Sequence, residues 1–133
     1  SRSLRWSWGS MIGRTNGWAC RVGAQPAPAM VRALATAGFD GLWLDRWGYT
    51  GIHRPSFVEV ERDLDALVGG KTVSAARRYA FYDLRPQRER LRREIGDAAL
   101  ERERRSLLEN PPPVPGRWTC VADRGPERPG TTP

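Results

Sequence analysis

A chain of 133 residues is long enough for one domain and buries about two thirds of its unfolded surface. Its 22 basic and 15 acidic residues leave a net charge of +7, a field that favours phosphate groups, anionic lipid heads or nucleic acid. No run approaches the roughly 18 consecutive apolar residues of a membrane-spanning helix, and no charged start leads into the apolar stretch of a signal peptide.

The chain opens on Ser1, without an initiator Met, and Trp6 and Trp8 follow almost at once, which points to a piece of a larger protein. Leu4, Trp6 and Trp8 alternate with Arg5 and Ser7, so a strand is expected there with the apolar residues on one face. Gly9 ends it, and a loop follows through Arg14 and the turn dipeptide Asn16-Gly17 to Trp18.

Pro26 and Pro28 suit the first turn of a helix, where the missing N–H has no helical partner. Met30, Val31, Leu34 and Ala35 continue at helical spacing to Gly38, a left-handed cap onto which Phe39 folds back. Gly41-Leu42-Trp43-Leu44-Asp45 reads as a strand buried on both faces, so strand, helix and strand suggest a parallel βαβ crossover. Ser56 and Glu59 have the spacing of a capping box, ahead of an apolar stripe of Phe57, Val60, Leu64 and Leu67. Thr72–Ser74 and Tyr79–Leu84 predict a hairpin with its turn at Ala75–Arg78. Pro86 opens one long charged helix to about Asn110, with a thin seam of Leu91, Ile95, Ala99, Leu107 and Leu108. Seven of the eleven prolines lie beyond residue 110, so 111–133 is expected to be an irregular tail.

The expected architecture is therefore α/β: a small βαβαββα unit over 1–110 with a mostly parallel sheet, a long C-terminal amphipathic helix and a Pro-rich tail. The unit is expected to belong to a larger parent domain.

Ligands of α/β sheets gather beyond the carboxyl ends of strands. Asp45, Arg46 and Tyr49 follow one strand and Arg14 follows the other. If the two strands are neighbours, these four converge on a pocket whose guanidinium forks suit a phosphate or carboxylate. The competing expectation for Asp45 and Arg46 is an ion pair or turn cap. Trp6 and Trp43 are assigned to the core, whereas Trp18 and Trp47, in loops, are candidates for sugar stacking.

Catalysis finds little support. Ser7, Ser10 and Ser56 have only His53 as a base, and Gly9 and Gly13 are too sparse for a dinucleotide loop. Glycoside hydrolysis needs two carboxylates, for which Asp45 and, less well, Asp83 are available. The two cysteines, Cys20 and Cys120, and the lone histidine lack metal-ligand spacing, so no metal or cofactor is expected. The cysteines either pair in an oxidising compartment or stand as two thiols. No nucleic-acid-binding motif accompanies the charge, so nucleic acid is not an expected partner.

The stretch Leu4–Arg14, LRWSWGSMIGR, followed by Gly38–Tyr49, GFDGLWLDRWGY, resembles a pattern of extracytoplasmic domains in large bacterial polytopic membrane proteins. These are described as phosphoglycerol transferase-like, sulfatase-like or glycosyltransferase proteins. Tyr79–Leu84 is similar to the strand before that family's long helix, and the resemblance spans about 1–110. Trp8 stands where the family prefers Tyr, Ile12 replaces a basic residue, and the tail departs from the family's further β-rich stretch.

The resemblance implies an accessory or recognition domain on the extracytoplasmic face of the inner membrane. It would be joined to the transmembrane region of its parent protein and would bind an anionic sugar or phospholipid headgroup. Without the resemblance the chain reads as cytoplasmic. The alternatives are a fragment of a larger glycosidase- or hydrolase-like enzyme with Asp45 as a catalytic carboxylate, and a structural domain with no ligand.

Overall fold

The computed structural model describes residues 18–49 and 56–116. The expected strand at 4–8, the loop carrying Arg14, His53 and the tail beyond 116 lie outside the described residues.

A short helix, α1 (Trp18–Gly23), begins where the sequence suggested a loop. Helix α2 (Ala27–Ala37) starts behind Pro26 and ends at Gly38, whose φ of 93° is left-handed. The N–H groups of Gly38 and Phe39 donate to the carbonyls of Ala35 and Leu34, both at 3.1 Å, which closes the helix end as expected. Strand β1 (Gly41–Asp45) runs straight into a 3-10 turn at Arg46–Tyr49.

Helix α3 (Phe57–Val68) carries the expected capping box. Ser56 Oγ accepts from the Glu59 N–H, and the Glu59 carboxylate accepts from the Ser56 N–H at 2.9 Å. Strands β2 (Lys71–Val73) and β3 (Tyr79–Asp83) form the expected hairpin. Arg77 takes a left-handed φ of 54° in its turn.

The long C-terminal helix is instead two. Helix α4 (Arg85–Ile95) stops at Gly96, where φ is 79° and ψ is 162°, and α5 (Asp97–Glu109) starts anew. Only glycine adopts that backbone readily. The break lets Leu91 and Leu100 both reach Ala35 of α2, which one straight helix of this length could not do as well.

The sheet is not parallel. Its order is β1-β3-β2, and both pairings are antiparallel. The physical reason lies in the connections. Strands β1 and β2 run the same way and are joined through α3, but the hairpin inserts β3 between them. The crossover expected from a strand at 4–8 through α2 to β1 begins outside the described residues.

The described helices sit on one side of the sheet. Leu44, Ala80 and Tyr82 form the sheet's contribution to the main core, with Val22, Val31, Leu34 and Leu64 packed on them. Helix α2 buries Met30, Val31 and Leu34 towards the sheet and Ala35 towards α4 and α5, so it lies between two layers. Arginines from the outer layer satisfy its end: Arg104 Nε donates to Ala37 O at 3.2 Å, and Arg88 Nη1 donates to Gly38 O at 3.1 Å. Among the described residues, no buried side-chain nitrogen or oxygen lacks a hydrogen-bond partner.

Candidate functional site

Because both pairings place opposite residues on the same side, register assigns the faces. Leu42, Leu44, Ala80 and Tyr82 share the helix side. Gly41, Trp43, Asp45, Tyr79, Phe81 and Asp83 share the other. No described helix covers that second face. Trp43 is consequently 64% exposed and Trp47, in the turn after β1, is 63% exposed. Assigning Trp43 to the core was therefore incorrect. A continuously apolar strand needs cover on both sides to be fully buried, and here no described helix covers the side that Trp43 faces.

The open face has a regular construction. Trp43 and Phe81 are paired at its middle, with Tyr79 opposite Asp45. The Trp43 ring lies 5.2 Å from that of Phe81 and meets Tyr79 nearly edge-on at 6.1 Å. Phe81 lies over the backbone of Gly41, where a Cβ would come within 2.4 Å of the ring.

An aspartate closes each end. Asp45, the last residue of β1, accepts from Arg78 Nε at 3.0 Å and Nη2 at 2.6 Å, and from the Trp47 N–H at 3.1 Å. Asp83, the last residue of β3, does the same with Arg85: Nε at 2.9 Å, Nη2 at 2.6 Å and the Arg85 N–H at 3.0 Å. The Arg78 guanidinium is also stacked between two rings, 4.6 Å from Trp47 and 4.7 Å from Tyr79. The Arg78 hydrogen bonds hold Asp45 below the usual carboxylate range against the opposing effect of burial. The Arg85 side chain and backbone N–H hold Asp83 down to about 2.

Arg46 goes the other way. Being the next residue along the chain, it leaves Asp45 on the open face and turns towards α3. Its Nε donates to Glu61 Oε1 at 2.5 Å, Nη2 to Glu61 Oε2 at 3.0 Å and Nη1 to Arg77 O at 2.7 Å. Lys71 Nζ joins at 2.7 Å from Glu61 and 2.8 Å from Asp65, and Tyr82 Oη donates to Asp65 at 2.9 Å. Glu61 is only 7% exposed, so this network is part of the fold's interior.

Of the four residues expected to converge, Arg14, Asp45, Arg46 and Tyr49, the described side chains of Asp45 and Arg46 turn apart. Arg14 lies outside the described residues, and Tyr49 closes the 3-10 turn after β1. Asp45 and Arg46 answer two different partners on opposite sides of the sheet. Trp18 is turned inward: Nε1 donates to Leu107 O at 3.1 Å and the ring packs on Phe39 at 5.7 Å. Of the two stacking candidates, Trp47 is the one that presents its ring to solvent.

Sequence reasoning missed Arg78, which was placed in a turn, and Phe81 and Tyr79, which were read only as strand. Their parity held the signal, since odd positions in 79–83 share a face with Trp43 and Asp45. Asp45 and Asp83 sit at opposite ends of the antiparallel pair, about 13 Å apart along the strand. That exceeds the roughly 5–9.5 Å between the carboxylates of a glycosidase pair.

No family model matches this chain, and no curated protein or solved structure does so.

Proposed function

We propose that this chain is a sugar-recognition domain of a cell-envelope membrane protein, of the transferase-like kind suggested by its sequence resemblance. The observation that carries this is the open sheet face. Trp43 and Trp47, each more than 60% exposed, flank the Asp45–Arg78 pair, with Tyr79 and Phe81 beside them. A pyranose ring presents C–H groups on one face and hydroxyls around its edge. Aromatic faces, which carry negative charge density, attract the former. Fixed carboxylate and guanidinium groups bind the latter. Large exposed aromatic patches on a soluble surface usually mark a binding site.

The setting rests on separate grounds. The resemblance over 1–110 supports the extracytoplasmic side of a bacterial membrane and a transmembrane parent. Cys20 is disulfide-bonded, which supports an oxidising compartment. Among the described residues no helix is long and apolar enough to cross a membrane.

The test is a titration of the purified protein with a panel of linear oligosaccharides, followed by tryptophan fluorescence and amide chemical shifts. Saturable binding that moves the resonances of Trp43, Trp47 and Tyr79 is expected. It should weaken at least about tenfold in Trp47→Ala, in keeping with the loss of a large exposed aromatic contact. Shifts confined to any other face would overturn the assignment of the site.

A further inference from the structure

The net positive charge of the chain suggested an anionic ligand, but the described residues of the open face pair each arginine with an aspartate. From the arrangement of its ends, we infer that this face selects an uncharged sugar chain over a phosphorylated one. The inference rests on the sugar-recognition proposal and concerns the class of sugar.

Each end of the face holds one aspartate and one arginine, joined through both carboxylate oxygens at 2.6 to 3.0 Å. The pairs neutralise themselves. Among the described residues, the Trp43–Phe81 pair stands between them, with Tyr79 opposite Asp45 and Thr72 opposite Phe81 on the same side. An incoming phosphate would meet a carboxylate at either end. To obtain a guanidinium fork it would have to displace Asp45 or Asp83 from a bidentate contact. Two further cations of the described residues, Arg46 and Lys71, lie on the sheet's other side, both bound to Glu61.

The same features suit hydroxyls. Among the described residues, Arg78 and Arg85 spend Nε and Nη2 on their aspartates, which leaves Nη1 of each as a donor held in place. The carboxylates keep acceptor capacity beyond these bonds. From Tyr79 to Asp83 the strip is about 13 Å long, enough for a short oligosaccharide lying along β3. Gly41, opposite Asp83, leaves room for the Phe81 ring, which a side chain there would lift.

The experiment compares three probes at low ionic strength: a neutral linear tetrasaccharide, the same chain with a terminal phosphate, and glycerol phosphate. Affinities would come from calorimetry and Trp43 and Trp47 chemical shifts. The neutral chain should bind most tightly. In Asp45→Asn, where Arg78 is no longer compensated, the phosphorylated chain should gain about tenfold relative to the neutral one, as one charge-assisted hydrogen bond would give. Tighter binding of the phosphorylated chain by the unaltered protein would overturn the charge selection and leave sugar recognition standing. A folded protein that binds none of the sugar chains would overturn sugar recognition itself.

Discussion

At the scale of single residues, the densest chemistry lies on the helix side of the sheet. Glu61 holds Arg46 and Lys71 together, and Asp65 ties Lys71 to Tyr82. Glu61→Ala would leave two cations facing each other at the edge of the core. A loss of about 3 kcal/mol is expected from breaking such a buried pair, measured by urea unfolding. The Arg46 hydrogen bonds hold Glu61 below its ordinary value of 4.5 despite burial, with Lys71 adding to the effect. Folding therefore favours the ionised form. Its contribution is complete above about pH 4.5 and is lost as pH falls through the lower folded value. Tyr82 behaves in the opposite sense. Burial first, and then its hydrogen bond to Asp65, push it from 10 up to about 12. Its contribution is complete below pH 10 and is lost as pH rises towards 12. Tyr82 should ionise late in an alkaline absorbance titration of the folded protein, and the Tyr82→Phe variant should lose that late phase. An absorbance titration with no phase lost in Tyr82→Phe near pH 12 would show that the Tyr82 environment is wrongly described.

At the scale of elements, two local devices decide where helices begin and end. Ser56 and Glu59 satisfy each other's backbone N–H groups at the start of α3. Ser56→Ala should cost about 1 kcal/mol, with the lost protection visible in hydrogen exchange of the first turn. Gly96 separates α4 from α5 in a backbone region that side chains avoid. Gly96→Ala should destabilise by about 1–3 kcal/mol, or else favour a continuous helix that pulls Leu100 away from Ala35. Thermal unfolding measures the first effect. An unchanged midpoint with unchanged helicity would show that the break is not needed. The sequence pattern ran through Gly96 because Leu91, Ile95 and Ala99 keep helical spacing across it. Glycine at that position is the signal that a helix ends, and its φ of 79° is what the missing Cβ permits.

At the scale of the whole molecule, one side of the sheet carries the described helices and the other carries the aromatic strip. The disulfide at Cys20 bears on the same scale, because the chain's only other cysteine, Cys120, is a hundred residues away in sequence. Alkylation of the unreduced protein should add no label, and reduction should release two reactive thiols, read by intact mass. Labelling of both cysteines before reduction would remove the disulfide and with it the support for an oxidising compartment.

The sequence by itself determined the elements set by local rules. The caps at Gly38 and Ser56, the prolines ahead of α2 and the hairpin of β2 and β3 all follow from what a few adjacent residues can do with their own backbone. Only the tertiary structure decided which strands are neighbours and which face is covered. Those depend on the insertion of β3 between β1 and β2, a contact between residues some forty positions apart that no local period encodes. The site followed the same division. Trp47 and Asp45 were legible as chemistry beyond a strand, but their partner Arg78 arrives from the far hairpin. Arg46, adjacent to Asp45 in sequence, is carried to the opposite side of the sheet, because successive residues beyond a pleated strand leave in opposite directions.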